Sequence, residues 1–109
     1  AYEAKMPVVL DLAPFENYST GVDPATTTLT IRFSDVMAGK GYSFNYGRLG
    51  KAGYPIKKVV GYAADKKSIT VELALSPNTK YEFVLSGIAF KSPEGYPLKR
   101  YTVTFQTRE

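Results

Sequence analysis

Apolar side chains recur at alternate positions in about seven short stretches of the chain, with polar side chains between them. This alternation is typical of β-strands that bury one face. No stretch has the repeat of a long amphipathic helix, so the pattern predicts an all-β protein. Strand by strand, the predicted inward positions are Val8, Leu10 and Leu12; Leu29, Ile31 and Phe33; Tyr42, Phe44 and Tyr46; Ile56, Lys58, Val60 and Tyr62; Ile69, Val71, Leu73 and Leu75; Tyr81, Phe83 and Leu85; and Tyr101, Val103 and Phe105.

Three features modify this regular pattern. Ser34 follows the second strand, where its hydroxyl group is expected to cap a single helical turn that returns Met37 to the core. Closely spaced glycines make residues 38–54 the least constrained stretch of the chain. In the fourth strand Lys58 takes an inward position, and a charge at such a position predicts an edge strand.

The turn before the sixth strand carries the most specific local pattern. Leu75, Pro77, Thr79 and Tyr81 form a Leu-x-Pro-x-Thr-x-Tyr run between two alternating strands. In a tyrosine corner the leucine fills the interior, the proline turns the chain, and the tyrosine hydroxyl bonds to backbone upstream. We therefore expect Tyr81 to be a corner residue in an immunoglobulin-like or fibronectin type III-like β-sandwich of about seven strands.

Length and composition agree with one such domain. The 109 residues, of which 44% are hydrophobic and 22% charged, are predicted to form a single domain over 1–109, with residues 1–6 as a polar N-terminal segment. The chain has no cysteine, which excludes the disulfide-bonded variant of the immunoglobulin fold. The residues expected to meet in one core are Phe33, Val71, Phe83 and Phe105.

Charge and hydropathy limit the expected partners. The net charge is +4, but the cations are spread in doublets between apolar strands, so no basic stripe predicts nucleic-acid binding. No apolar run is long enough to span a membrane. Residues 1–5 do not resemble a signal peptide, so an exported protein would carry its signal outside this chain. The domain is expected to be monomeric.

The chain has few residues suited to catalysis or to metal binding. Without histidine or cysteine there is no Ser-His-Asp triad, no thiol nucleophile, and no imidazole or thiolate metal ligand. Ser-x-x-Lys does not occur, and no two carboxylates are placed across one cleft by the pattern. In loop 16–23 only Glu16 and Asp23 are charged, which favours a turn over a calcium site. We expect no enzyme activity, cofactor or metal.

A family resemblance becomes visible once these motifs are placed. The run 28–37, with its Phe-Ser-x-x-Met ending, resembles the bacterial Ig-like domains related to S-layer sandwich modules. The similarity continues through 64–71, the Leu-x-Pro-x-Thr-x-Tyr corner and 95–107. In that family an asparagine usually follows the glycine here numbered Gly95, and an aspartate precedes it. Tyr96 takes the asparagine position, and 91–94 supplies no aspartate.

The resemblance implies a non-catalytic accessory or spacer module of a secreted or cell-surface bacterial protein, which supports neighbouring domains. The alternative is a protein- or glycan-binding module that uses exposed tyrosines. Tyr18, Tyr54 and Tyr96 each lie beside a turn former and are the candidate contact residues. Tyr42 and Tyr101, in contrast, are assigned to the core. Contact residues gathered into one patch would favour binding, and scattered ones would favour a spacer.

Overall fold

The computed structural model describes residues 3–109, and its strands form two antiparallel sheets packed face to face. One sheet has the order β1-β2-β5-β4 and the other β3-β6-β7, which confirms the predicted seven-stranded Ig-like sandwich. Residues 1 and 2 of the predicted N-terminal segment lie outside the described residues. The strands are β1 (Val9–Ala13), β2 (Thr28–Phe33), β3 (Phe44–Tyr46), β4 (Ile56–Tyr62), β5 (Ser68–Leu73), β6 (Lys80–Leu85) and β7 (Tyr101–Gln106), with 3₁₀ turns at Glu3–Lys5 and Lys51–Gly53.

The core forms between the inward faces of the two sheets. Phe33, Val71, Phe83 and Phe105 belong to one buried cluster, as the alternation predicts. Each fully buried aliphatic or phenylalanine side chain contributes about 1.5–3 kcal/mol relative to exposure, so this cluster supplies the main driving force for folding. Tyr81 joins the core through its ring, while its hydroxyl oxygen accepts a hydrogen bond from the Ser76 N–H at 2.7 Å. The predicted tyrosine corner is therefore confirmed.

Irregular pairing overturns two predicted strand faces. A register shift lies between Val9 and Asp11 in β1, and it leaves Leu10 57% exposed while Val9 and Leu12 face the core. In β4 two further shifts turn Val60 to solvent. Each extra residue in a bulge reverses the faces that follow it, so strict alternation assigns them wrongly. Lys58 is exposed, and β4 is an edge strand as predicted.

Three more expectations are corrected or refined near β2 and β3. Ser34 caps no helical turn, because its hydroxyl oxygen instead accepts the Val8 N–H at 2.9 Å. Met37 is nevertheless fully buried, and its N–H donates to the Lys66 carbonyl group. Tyr42 and Tyr46 are 51% and 55% exposed, so the expectation that they face inward is wrong.

The connections between strands gather at two opposite ends of the sandwich. Connections 34–43, 63–67 and 86–100 lie at the end where β1 begins, which we call the upper end. Backbone hydrogen bonds from Met37 to Lys66 and from Ala38 to Lys91 join these three connections. The lower end carries the remaining connections, 14–27, 47–55 and 74–79.

Candidate functional site

An open depression lies on the outer face of the β3-β6-β7 sheet. Two adjoining depressions of about 490 and 500 Å³ share four lining residues and run along strands β6 and β7. We call them together the sheet groove. Pairing of β6 with β7 places polar side chains side by side along its floor, because alternate residues share one face. The shared lining residues are Tyr18, Arg48, Glu82 and Thr104.

Glu82 is a buried carboxylate on the floor of the groove, with only 3% of its surface exposed. It accepts the Arg48 backbone N–H at 2.8 Å and two guanidinium N–H groups at 3.1 and 3.3 Å. The Arg48 side-chain bonds, followed by the backbone bond, lower the pKa of Glu82 despite its burial. Gly47 permits this close approach, since a Cβ there would lie 2.5 Å from the Glu82 Cγ. The Glu82 carboxylate therefore holds the turn after β3 in place through its bonds to Arg48.

Tyr18 forms a wall of the groove and is the most exposed tyrosine of the described chain, at 73%. Its backbone is in the left-handed region, with φ at 69°, which is uncommon for a residue with a side chain. The neighbouring Asn17 holds it there. Asn17 Nδ2 donates to the Thr102 carbonyl at 2.9 Å, and Asn17 Oδ1 accepts the Thr104 N–H at 2.8 Å. The Tyr18 N–H itself donates to the Thr104 carbonyl at 2.8 Å.

Cations lie at both ends of the groove. Arg100 precedes β7 and lines one depression, and Lys80 begins β6 and lines the other. Within the described residues neither side chain takes part in an ion pair. Glu82 is the one carboxylate among the lining residues, and Arg48 neutralises it. The groove therefore carries a net positive charge.

The structure does not bring the three predicted contact residues together. Tyr54 is half-buried in connection 47–55, where its ring meets that of Tyr46 edge-on with 4.9 Å between centroids. Burial raises the pKa of its phenol, and it lines a separate depression beside β3. Tyr96 is half-buried at the upper end, where the ammonium group of Lys5 lies 5.8 Å from its ring centroid. Of the three, only Tyr18 lines the sheet groove.

Several groove residues have no distinctive signal in the sequence. Arg48 follows a glycine in a loop, and Lys80, Thr104 and Gln106 occupy outward positions that alternation marks only as polar. Their proximity arises from the pairing of β6 with β7 and from the return of connection 14–27 to β7. The remaining signal is the row of polar outward residues along β7, which predicts a polar face but not a groove.

The side chains of loop 16–23, considered above as a calcium site, form contacts within the domain. Asp23 forms an ion pair with Arg108 at 3.1 Å and accepts the Ala25 N–H at 2.9 Å, and Glu16 is exposed. Among residues 3–109, no three acidic side chains converge in a way that would hold a metal ion. No helix within that part of the chain has the length and apolar character needed to cross a membrane.

The two antiparallel sheets and their seven strands define the class of protein as an Ig-like β-sandwich module. The family model for the bacterial Ig-like domain matches residues 3–107, so the chain belongs to that family. Members of this family are modules of larger bacterial proteins, occur in extracellular bacterial proteins and are generally non-catalytic. No curated protein matches the chain.

Proposed function

We propose that this domain is a non-catalytic accessory module of a larger bacterial protein outside the cytoplasm, where it positions the domains beside it. The observation that carries the proposal is the path of the chain. β1 and β7 both run from the upper end to the lower end, so the described chain enters and leaves the sandwich at opposite ends. With a longest dimension of 44 Å, the module separates whatever it joins.

Three of the four sheet edges, those at β3, β4 and β7, support a spacer that stays monomeric. Residues 18–22 cover the outer edge of β7 through several backbone hydrogen bonds. β4 carries two bulges, and the exposed Lys57 and Lys58 both pair with Glu72. β3 is only three residues long. Short, bulged, charged or covered edges resist pairing with other chains.

The experiment that tests the spacer role measures distance. Fluorescent donor and acceptor proteins are fused to the two ends of the 109-residue chain, and energy transfer is recorded at increasing urea concentration. We expect one constant low efficiency until the domain unfolds. The matched control replaces the domain with a flexible Gly-Ser linker of equal length, for which the energy-transfer efficiency varies widely from molecule to molecule. If the transfer efficiencies of the wild-type fusion are distributed as broadly as those of the linker fusion, the proposal is contradicted.

A binding module is the second candidate function, and one observation favours it. Tyr18 is held in an uncommon backbone conformation by Asn17 and β7, yet its side chain remains largely in solvent. Backbone strain of this kind costs about 1–3 kcal/mol and is concentrated at functional sites. An exposed aromatic side chain on a fixed backbone beside a groove is suited to contact with a ligand, because little backbone entropy is lost on binding.

A further inference from the structure

We infer that the sheet groove binds an extended acidic glycan, a polysaccharide that carries carboxylate groups. This inference rests on the binding role given above as the second candidate function, and it names the chemical class of the ligand. The accessory role does not depend on it.

The arrangement of charge favours a polyanion. The residues from Arg100 to Gln106 span about 20 Å along the strand direction, and Lys80 lies opposite Gln106 in the ladder. Unpaired cations therefore lie at the two ends of an elongated groove, with the Arg48–Glu82 pair between them. Two separated cations are complementary to a chain whose negative charges repeat, rather than to a single small anion.

Beside the neutralised Arg48–Glu82 pair, the β7 side of the floor between the cations is polar and uncharged. Thr102, Thr104 and Gln106 follow one another on the outer face of β7. The Thr102 hydroxyl group donates and accepts hydrogen bonds, and the Gln106 amide does both through separate atoms. The Thr104 hydroxyl group donates to the Tyr81 carbonyl at 3.3 Å and retains its capacity to accept. Sugar hydroxyl groups also donate and accept, so this floor matches them at successive positions. Tyr18 adds an aromatic side chain with an apolar face and a polar tip at the wall.

The backbone argues against an acidic peptide in the same place. Peptides that lie along a sheet usually add a strand to an open edge through backbone hydrogen bonds. Here β6 is paired on both sides, by β3 and β7, and residues 18–22 cover the other side of β7. The two strands along the groove therefore offer a peptide no open edge. Recognition by side-chain hydroxyl, amide, aromatic and cationic groups favours a glycan.

The test is an amide chemical-shift titration of the 109-residue chain with polygalacturonate at low and at physiological ionic strength. We expect shifts grouped on residues 18–20, 48 and 100–106, with weaker affinity at the higher ionic strength, because salt screens exposed charges. Dextran, a neutral glucan, and poly-L-glutamate are titrated in parallel, and both are expected to bind much more weakly.

Variants separate the contributions of ring and charge. Tyr18→Ala is expected to weaken polygalacturonate binding about three- to tenfold, and Lys80→Gln or Arg100→Gln about two- to fivefold each. Tyr42→Ala and Lys67→Gln are the matched controls, since they remove an exposed tyrosine and an exposed lysine outside the groove. The affinity of both controls should equal that of the wild type. Arg48 is left unchanged because it neutralises Glu82. An amide spectrum with the dispersion of the wild type verifies that each variant is folded.

The possible failures are distinguishable. Dextran bound as tightly as polygalacturonate overturns the acidic class and leaves a glycan-binding module. Poly-L-glutamate bound as tightly as polygalacturonate overturns the glycan class. Equal binding by Tyr18→Ala, Lys80→Gln and the wild type overturns the assignment to this groove. The absence of shifts with all three polymers overturns both the inference and the binding role, while the accessory role is tested separately by the energy-transfer experiment.

Discussion

The ring of Tyr81 packs against the ring of Phe105, with 5.4 Å between their centroids and an angle of 30° between their planes. Phe105 lies opposite Tyr81 in the β6-β7 ladder, so the contact is a cross-strand pair on the core face. The Tyr81 hydroxyl group extends beyond this pair to the turn before β6, where it meets the Ser76 N–H. One residue thus ties the turn at the lower end to the centre of the sandwich.

The two roles of Tyr81 are separable by substitution. Tyr81→Phe keeps the ring contact with Phe105 and removes the hydrogen bond to Ser76, which should lower the free energy of unfolding by about 1 kcal/mol. Urea denaturation measures this change. Tyr42→Phe is the control, because Tyr42 is 51% exposed and its hydroxyl group forms no hydrogen bond with the described residues. An unchanged midpoint for Tyr81→Phe would show that the corner bond is energetically neutral.

Phe83 lies at the centre of the core and is fully buried. Its ring meets those of Phe44 and Tyr54 edge-on, at centroid distances of 5.9 and 6.5 Å. Phe83→Ala should therefore destabilise the domain by roughly 3–5 kcal/mol, through lost burial and the cavity that remains. Ile88→Ala is a control in which the truncated side chain is 78% exposed, and its unfolding curve should match that of the wild type. A loss below 1 kcal/mol for Phe83→Ala, measured in urea, would contradict the assignment of this core.

The alternation predicts the buried positions of the regularly paired strand β2 and fails at the bulges of β1 and β4. It also fails at Tyr46, which is exposed because β3 is a short edge strand although its ladder with β6 is regular. Leu29, Ile31 and Phe33 face inward as predicted because β2 pairs with β5 without interruption. Leu10 and Val60 face outward because bulges in β1 and β4 shift the alternation, and a bulge has no clear signature in those strands. The period of two predicts a face only while the ladder is unbroken.

The candidate site was accessible from the sequence only in part. Tyr18 stands out as an aromatic residue among turn formers, and it does line the groove. The Arg48–Glu82 pair joins residues 34 positions apart, and such pairing depends on how the strands assemble. The sequence predicts only a turn for loop 16–23, whereas the Asn17 side chain within it bonds to β7 some 85 residues away. Long-range hydrogen bonds of this kind are determined by tertiary structure and have no local signal.

The Arg48–Glu82 pair predicts a specific pH dependence of stability. The pKa of Glu82 is lowered from its ordinary value of 4.5, so the unfolded chain takes up a proton at higher pH than the folded chain does. The pair therefore stabilises the fold above that value, and its contribution is lost as the pH falls through the lower, folded pKa. Urea denaturation from pH 7 downward should show wild type more stable than Glu82→Gln at neutral pH, with the difference shrinking in acid.

Arg48→Gln removes the same pair from its other side and serves as the companion variant. It keeps the backbone N–H that Glu82 also accepts, so it should reproduce most, but not all, of the pH-dependent loss. If the unfolding free energies of wild type and Glu82→Gln fall in parallel with pH, the lowered pKa of Glu82 makes no contribution to stability.

Asn17 is expected to control both the β7 edge and the placement of Tyr18. Asn17→Ala removes the acceptor of the Thr104 N–H and the donor to the Thr102 carbonyl, and it should cost roughly 1–3 kcal/mol because partly buried groups lose their partners. Hydrogen exchange at the Thr104 amide measures the local effect and should accelerate. Asn45→Ala is the control, since the Asn45 amide makes one longer bond, 3.3 Å to Ser86 Oγ.

The same substitution tests whether Tyr18 is held in place by its neighbour. With Asn17 removed, the N–H of Tyr18 retains its bond to the Thr104 carbonyl, but the side-chain bonds that hold residue 17 against β7 are gone. The left-handed conformation at Tyr18 then loses a restraint that offsets its strain, so the segment 17–19 should relax toward extended backbone. Backbone chemical shifts of Tyr18 report this change directly. Wild-type shifts at Tyr18 in Asn17→Ala would mean that the pairing of residues 18–22 with β7 is sufficient to fix the conformation.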